Sequence, residues 1–375
     1  MTGAPVVLFA GGGTGGHLHP GVATAERIRE IAPAARCLFA TTDRDGDGAW
    51  GAAAEGERLA LASPRLPRGP LEIGSFLRKM SRSFRDSGRE IRLRGVDAVV
   101  GLGGYGSVGP GLAALRAGKP TVVLEANVVP GAANRLLTAL GATAAVSFEE
   151  TTRMLRGRGH AIHTGIPLRS GLHRKRRDPS AFGLPGKGPI LTVVGGSLGA
   201  RGLNDRVEAV LGDLAAAGVE LLWVTGPAEA RARCEAVRRA GLPAAVLPYC
   251  EDMGLLYGTS DLLLARSGGS TVAEAAALGV PAVFVPYPHH SDRHQARNAE
   301  ALRSRGAARV VEEADLTPDR FHGEVLSLLA DPDARARMAS AARDAGCPGA
   351  AVRVARLVLE RAAGDGEADP GEEER

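Results

Sequence analysis

Residues 7–22 read VLFAGGGTGGHLHPGV. An apolar run ends at Ala10, five of the next six residues are glycine, and a histidine follows as a polar, Ala-rich stretch begins. The run has the composition of a buried strand and the stretch after it suits a helix, so the glycines fill a strand-to-helix turn. Bare backbone at a helix start lets N–H groups close on an anion, and the helix dipole favours negative charge there. Short apolar runs followed by glycines and a helical stretch recur along the chain: VVLFA, CLFAT, DAVVGL and TVVLE, then ILTVV, ELLWVT, DLLLA and PAVFVP. This alternation predicts an α/β protein, with parallel sheets covered by helices on both faces.

At 375 residues the chain exceeds what one core usually serves. Residues 169–189, RSGLHRKRRDPSAFGLPGKGP, break the rhythm with charge, proline and glycine before ILTVV restarts it. Two doubly wound domains are expected, spanning 1–166 and 167–345. Ligands of open α/β sheets sit beyond the carboxyl ends of the strands, so facing domains would line a cleft with their glycine loops.

Composition narrows the function classes. A hydrophobic fraction of 44% and a charged fraction of 23% suit a soluble protein. No apolar run approaches the roughly 18 residues of a membrane span, and the N-terminal VVLFA is too short for a signal-peptide core. Cys37, Cys234, Cys250 and Cys347 show no C-x-x-C spacing, which favours a reducing compartment such as the cytoplasm. The acidic residues 363–375 are expected to form a disordered tail. Basic residues are not interleaved with stacking aromatics, so nucleic acid is not an expected partner.

Gly11, Gly13 and Gly16 have the G-x-G-x-x-G spacing of a dinucleotide site, but Gly101, Gly103 and Gly106 repeat it, and the acidic candidate Asp43 lies in a loop-like DRDGDG run. The broader reading is of glycine loops at Gly11, Gly103, Gly195 and Gly268 that could cradle phosphates; tight strand-to-helix packing alone is the alternative. Thr271 and Glu274 form a T-x-x-E capping box, while the adjacent glycines and Ser270 suit a diphosphate and Glu274 a pair of sugar hydroxyls. His289, His290, His294 and Asp292 could suggest a metal, yet lack metal-helix spacing and equally suit a sugar-binding loop. DRDGDG begins like a calcium loop but has Ala54 where the bidentate carboxylate belongs. No metal site and no cofactor is expected.

In combination, GGTGGHLHPGVA, GLGGYGSVGP, LEANVVPGAANRLL, TGIPLR, VVGGSLGARGLN, EDM, RSGGSTVAEAAALGVPAVFVPYP and DRHQARNAEAL resemble the MurG family over about residues 6 to 360. The resemblance implies a GT-B fold, with an N-terminal acceptor domain, a C-terminal donor domain and a last helix, about 346–362, returning to the first. It implies transfer of N-acetylglucosamine from UDP-GlcNAc to the C4 hydroxyl of undecaprenyl-pyrophosphoryl-MurNAc-pentapeptide, at the cytoplasmic face of the inner membrane. Donor contacts would be Arg169, Ser197, the Cys250 backbone on the uracil, Gly269, Ser270, Thr271, Val272, Ala273 and Glu274 on phosphates and ribose, and Gln295 on the sugar. Acceptor-side residues would be Thr14, Gly15, Gly16, His17, Tyr105 and Asn127. The chain departs from the family pattern at Ala126, Ile166, Leu198 and the SGGST loop, and Leu198 cannot make the hydrogen bonds of the usual glutamine.

An inverting transfer needs a base for the acceptor hydroxyl and positive surroundings for departing UDP. His17 follows the glycines in a first helical turn, where the dipole keeps imidazole neutral; a histidine that merely packs the loop is the alternative. Residues 65–94 carry nine Lys or Arg against three acids, with Leu71, Ile73, Phe76, Leu77, Met80 and Phe84 interleaved. Such a segment suits an anionic membrane surface, or a helix packed by its apolar side with solvated arginines outside. A UDP-GlcNAc 2-epimerase or a non-catalytic nucleotide-sugar-binding subunit remain the competing readings.

Overall fold

The computed structural model describes residues 3–11, 15–41, 57–61, 69–169, 172, 176–196, 199–289 and 292–364, with residues 15–17, 41 and 70 by backbone alone. It divides into two compact units, one of residues 1–126, 130–170 and 349–375, the other of 127–129 and 171–348.

The first unit holds strands β1 (Val6–Ala10), β2 (Arg36–Thr41), β3 (Glu57–Ala60), β4 (Ala98–Gly101), β5 (Thr121–Glu125), β6 (Thr143–Val146) and β7 (Ala161–His163). They form one parallel sheet in the order β3-β2-β1-β4-β5-β6-β7. Its helices are α1 (Gly15–Ile31), α2 (Pro70–Arg94), α3 (Val108–Arg116), α4 (Ala132–Ala139) and α5 (Glu149–Thr152). The second unit repeats the architecture with β8 (Ile190–Val194), β9 (Glu220–Val224), β10 (Ala244–Leu247), β11 (Leu262–Ala265), β12 (Ala282–Phe284) and β13 (Arg309–Val310), in the parallel order β10-β9-β8-β11-β12-β13. Its helices are α6 (Arg201–Glu208), α7 (Leu211–Ala216), α8 (Ala230–Arg239), α9 (Met253–Thr259), α10 (Gly269–Leu278), α11 (His294–Arg303), α12 (Pro318–Phe321), α13 (Ser327–Leu329) and α14 (Pro332–Ala345). The last helix, α15 (Ala350–Ala363), returns to the first unit and packs along α1. There Arg353 donates from Nε and Nη2 to the Thr164 carbonyl at 3.0 and 2.9 Å.

Central strands of both sheets are buried on both faces, as a helix-covered parallel sheet requires. Phe9 stacks on Phe39 across β1 and β2 with centroids 5.2 Å apart. In the second unit Trp223 is wholly buried; its indole N–H donates to Asn204 Oδ1 at 3.0 Å, and Asn204 Nδ2 donates to the Thr225 carbonyl at 3.0 Å, pinning α6 to the end of β9.

Each sheet reverses its winding at one place, between β1 and β4 and between β8 and β11. At such switch points successive loops diverge and leave room for a ligand. The loops after these four strands carry Gly11, Gly103, Gly195 and Gly268, so the glycine loops fall into two pairs, one at each switch point. In the first pair the loops touch: a Cβ on Gly11, whose φ is +114°, would stand 2.6 Å from the Gly103 carbonyl. Glycine is obligatory at position 11 on both counts, a requirement that needs no dinucleotide.

Helix α2 separates two faces. Phe76, Met80, Ser83, Phe84, Ser87 and Ile91 are buried or half-buried, whereas Arg78, Arg82, Arg85, Arg89 and Arg92, at i, i+4 and i+3 spacing, form an exposed stripe on the opposite side. Leu71, Ile73 and Leu77 on its first turns are exposed at 98%, 47% and 59%. Of the six interleaved apolar residues, three pack inward and three face outward. Among the described residues no helix is long and apolar enough to cross a membrane.

Candidate active site

In the first unit the backbone of Gly15, Gly16 and His17 opens α1, directly beyond β1. Thr14 and the side chain of His17 lie outside what is described. Two residues on, half-buried His19 is pushed down to about 4, first by burial and then by the Arg169 cation. Arg169, expected among the donor contacts, thus belongs to the first unit and faces this histidine. Tyr105 begins a short 3-10 turn running into α3, and its ring meets Phe76 of α2. At the end of β5, buried Glu125 accepts from Gly131 N at 2.8 Å and Asn134 Nδ2 at 2.9 Å, which fixes both ends of the loop that carries Asn127.

In the second unit α10 starts immediately after β11. Its N-cap is Gly268, which has no side chain to cap the helix. The capping box read from the sequence is therefore absent: Glu274 lies one turn too deep and, at 6% exposure, accepts through Oε2 from the Tyr257 hydroxyl at 2.8 Å. The N-cap falls three residues before Thr271, and as a glycine it offers no side chain to the first amides of α10, an arrangement that suits a helix start to a phosphate.

Around that helix start the loops are braced by buried side chains. Arg266 donates through Nη1 to the carbonyls of Val285 and Pro286 at 3.1 Å each, pairs with Glu313, and lies 5.6 Å from the centre of the Tyr287 ring. Gln295 accepts at Oε1 from Tyr287 N at 2.9 Å, which turns its Nε2 away from that amide. Fully buried Asn298 accepts from Val128 N at 2.8 Å and donates to Asn127 Oδ1 at 2.9 Å and the Ser267 carbonyl at 3.1 Å. Asn127 is thus held in the second unit beside the residue that precedes Gly268. Cys250 is buried and its thiol donates to the Asp252 carbonyl at 3.5 Å, while Asp252 caps α9 through Leu255 N at 2.9 Å.

The second unit therefore brings together Asn127, the 269–274 turn and the brace that holds Gln295; in the first unit Arg169 faces His19 on α1, while Tyr105 contacts Phe76 of α2. Ser197, Leu198, Asp43 and His290 lie outside the described residues. His294 Nδ1 sits 2.7 Å from Asp292 Oδ1, and among the described residues no three His, Cys, Asp or Glu side chains group as metal ligands. Sequence reading missed His19, Tyr257, Arg266 and Asn298. The H-L-H spacing and the asparagine of DRHQARNAEAL were the available signals; nothing local marks Tyr257.

Comparison with known proteins decides among chemistries that share this architecture. The glycosyltransferase family 28 N-terminal domain matches residues 7–146 and its C-terminal domain residues 190–354. The "UDP-N-acetylglucosamine--N-acetylmuramyl-(pentapeptide) pyrophosphoryl-undecaprenol N-acetylglucosamine transferase" of Prosthecochloris aestuarii is 39% identical over 93% of this chain and 97% of its own. Its namesake in a Nocardioides strain is 40% identical over 94% and 97%. The chain belongs to the MurG family. The crystal structure of Acinetobacter baumannii MurG superposes with a TM-score of 0.74 at 27% identity, covering 95% of this chain and 99% of that one. A putative UDP-N-acetylglucosamine 2-epimerase from Listeria monocytogenes shares the fold, with a TM-score of 0.67 at 16% identity over 98% of each chain. The GT-B architecture expected of a MurG is the architecture found: two parallel-sheet, Rossmann-like units.

Proposed function

We propose that the chain transfers N-acetylglucosamine from UDP-GlcNAc to the C4 hydroxyl of lipid-linked MurNAc-pentapeptide, with inversion at the anomeric carbon. The observation that carries the donor half is the start of α10 behind a glycine N-cap, with Glu274 held by the Tyr257 hydroxyl. The diphosphate of UDP meets the amides of Gly269 to Thr271, Glu274 takes the ribose hydroxyls, the Cys250 backbone reads the uracil, and Gln295 reaches the sugar with Ser197 nearby. On the acceptor side Thr14, Gly15, Gly16, Tyr105 and Asn127 place the lipid-linked sugar. His17 removes the proton from the C4 hydroxyl as that oxygen bonds to the anomeric carbon; the bond from that carbon to the diphosphate oxygen breaks, and UDP leaves with the electron pair. The helix start and Arg169 offset the charge on the leaving group, so turnover is expected to persist in millimolar EDTA. A loss of activity restored only by Mg²⁺ or Mn²⁺ would contradict this.

The exposed arginine stripe and bare leucines of α2 support the reading of a peripheral enzyme that docks on the anionic cytoplasmic face of the membrane. The direct test of the activity is labelled UDP-GlcNAc incubated with and without a lipid-linked muramyl-pentapeptide. A β-linked disaccharide that forms only with acceptor supports the reading. Release of free N-acetylmannosamine without acceptor would favour the epimerase alternative.

A further inference from the structure

Phe76 and Tyr105 join the membrane-facing helix to the acceptor motif. Phe76 lies in the second turn of α2 and meets Tyr105 edge-on, with ring centroids 6.1 Å apart and planes at 78°. This is the favoured T-shaped geometry, in which the positive edge of one ring faces the negative face of the other. Both residues are half-buried. Phe76 stands between Ile73 and Leu77, exposed at 47% and 59%, so the ring that touches Tyr105 shares its turns with side chains bare to solvent.

The elements behind the contact allow little slack. Tyr105 opens the 3-10 turn Tyr105–Ser107, which continues without interruption into α3. Helix α3 is packed tightly on α2: a Cβ on Gly109 would collide with the Ser83 hydroxyl and come within 3.2 Å of Phe84 N. Packed cores move as units rather than deform continuously. A helix lying on a bilayer therefore sets the height of Tyr105 above it, and a lipid-linked sugar is presented at a height fixed by its own diphosphate anchor.

We propose that Phe76 is a positioning residue, which holds Tyr105 at a fixed offset from the membrane-facing turns of α2 and so registers the acceptor site with the lipid surface. This rests on the reading of α2 as the docking face and of Tyr105 as an acceptor-side residue.

The test compares Phe76→Ala, Phe76→Leu, Tyr105→Ala and the double variant Phe76→Ala/Tyr105→Ala in the full chain. The acceptor is embedded in phosphatidylglycerol–phosphatidylethanolamine vesicles, and co-sedimentation and thermal unfolding are measured alongside. Both Phe76 variants are expected to raise the acceptor KM by about 2- to 10-fold, the range of an aromatic pair, with the UDP-GlcNAc KM and vesicle binding unchanged. Phe76→Ala adds nothing further when Tyr105 is already alanine. Phe76→Leu keeps the apolar bulk and guards against a folding artefact. Additive losses in the double variant, or donor and acceptor KM rising together, would overturn the proposal and leave Phe76 a packing residue. Vesicle binding that falls in step with transfer would make Phe76 a membrane anchor and overturn it too. An unchanged acceptor KM in Tyr105→Ala would instead remove Tyr105 from the acceptor site, and an inactive wild-type chain would sink the transferase reading itself; the proposal falls in either case, for different and separable reasons.

Discussion

Tyr257 is wholly buried and its hydroxyl points at one carboxylate oxygen of Glu274. A hydrogen bond to a charged acceptor contributes about 1.5–3 kcal/mol net, and a carboxylate deprived of it is free to rotate. Tyr257→Phe removes only that donor, so it should raise the KM for UDP-GlcNAc by about 10-fold while the acceptor KM holds. Steady-state kinetics with each substrate varied in turn will show it, and an unaltered donor KM would separate Glu274 from the ribose. His19 gives a pH signature of its own. Its folded value is about 4 against an ordinary 6.5, so between those values the unfolded chain binds a proton that the folded chain does not. Its contribution to stability is whole above 6.5 and is withdrawn as acid is added through that window. His19→Gln should therefore flatten the fall in Tm between pH 6.5 and about 4; a slope identical to wild type would contradict the burial of this ring beside Arg169. Neither residue's surroundings could be read from sequence. Asn298 meets Asn127 across 171 positions, and only strand order decides which distant side chains become neighbours.

Helix α2 was legible as a basic and apolar segment, but not which apolar residues packed. The fold divides them: Phe76, Met80 and Phe84 are half-buried, while Leu71, Ile73 and Leu77 on the first turns stay exposed. Each arginine near an anionic surface adds about 1 kcal/mol of attraction. Reversing three of them, Arg82→Glu/Arg85→Glu/Arg89→Glu, should cut binding to anionic vesicles by at least about 100-fold, with little change on neutral vesicles. Retention on anionic vesicles would assign the stripe to solvation alone. Strand legibility followed burial. The eight runs read from the sequence are the apolar strands with neighbours or helices on every side, whereas β3, β7, β10 and β13 went unseen because they lie at sheet edges. Half-exposed segments such as ERLA and AIH need no continuous apolar run. Strand β6 escaped for another reason: it is fully buried yet reads TAAV, its alanines too small to stand out. The Thr271–Glu274 capping box failed because the helix starts at Gly269, which puts Thr271 inside it and leaves Glu274 one turn too deep, bonded instead by the Tyr257 hydroxyl.

At the scale of the whole molecule, the sequence announced four glycine loops and the fold arranges them as two pairs, each at the point where a parallel sheet reverses its winding. That pairing could not be read along the chain, since strands adjacent at a switch point are the ones most separated in order. In the first unit Gly11 is required by the approach of the Gly103 carbonyl, so its place in the dinucleotide-like spacing needs no pyrophosphate. The central claim is that the nucleotide held is uridine diphosphate, gripped at the start of α10 in the second unit, and not NADH on the first. Isothermal titration calorimetry tests it most directly. UDP is expected to bind at one site, weakened by Glu274→Ala, with no heat from NADH; tight NADH binding with none for UDP would contradict the account.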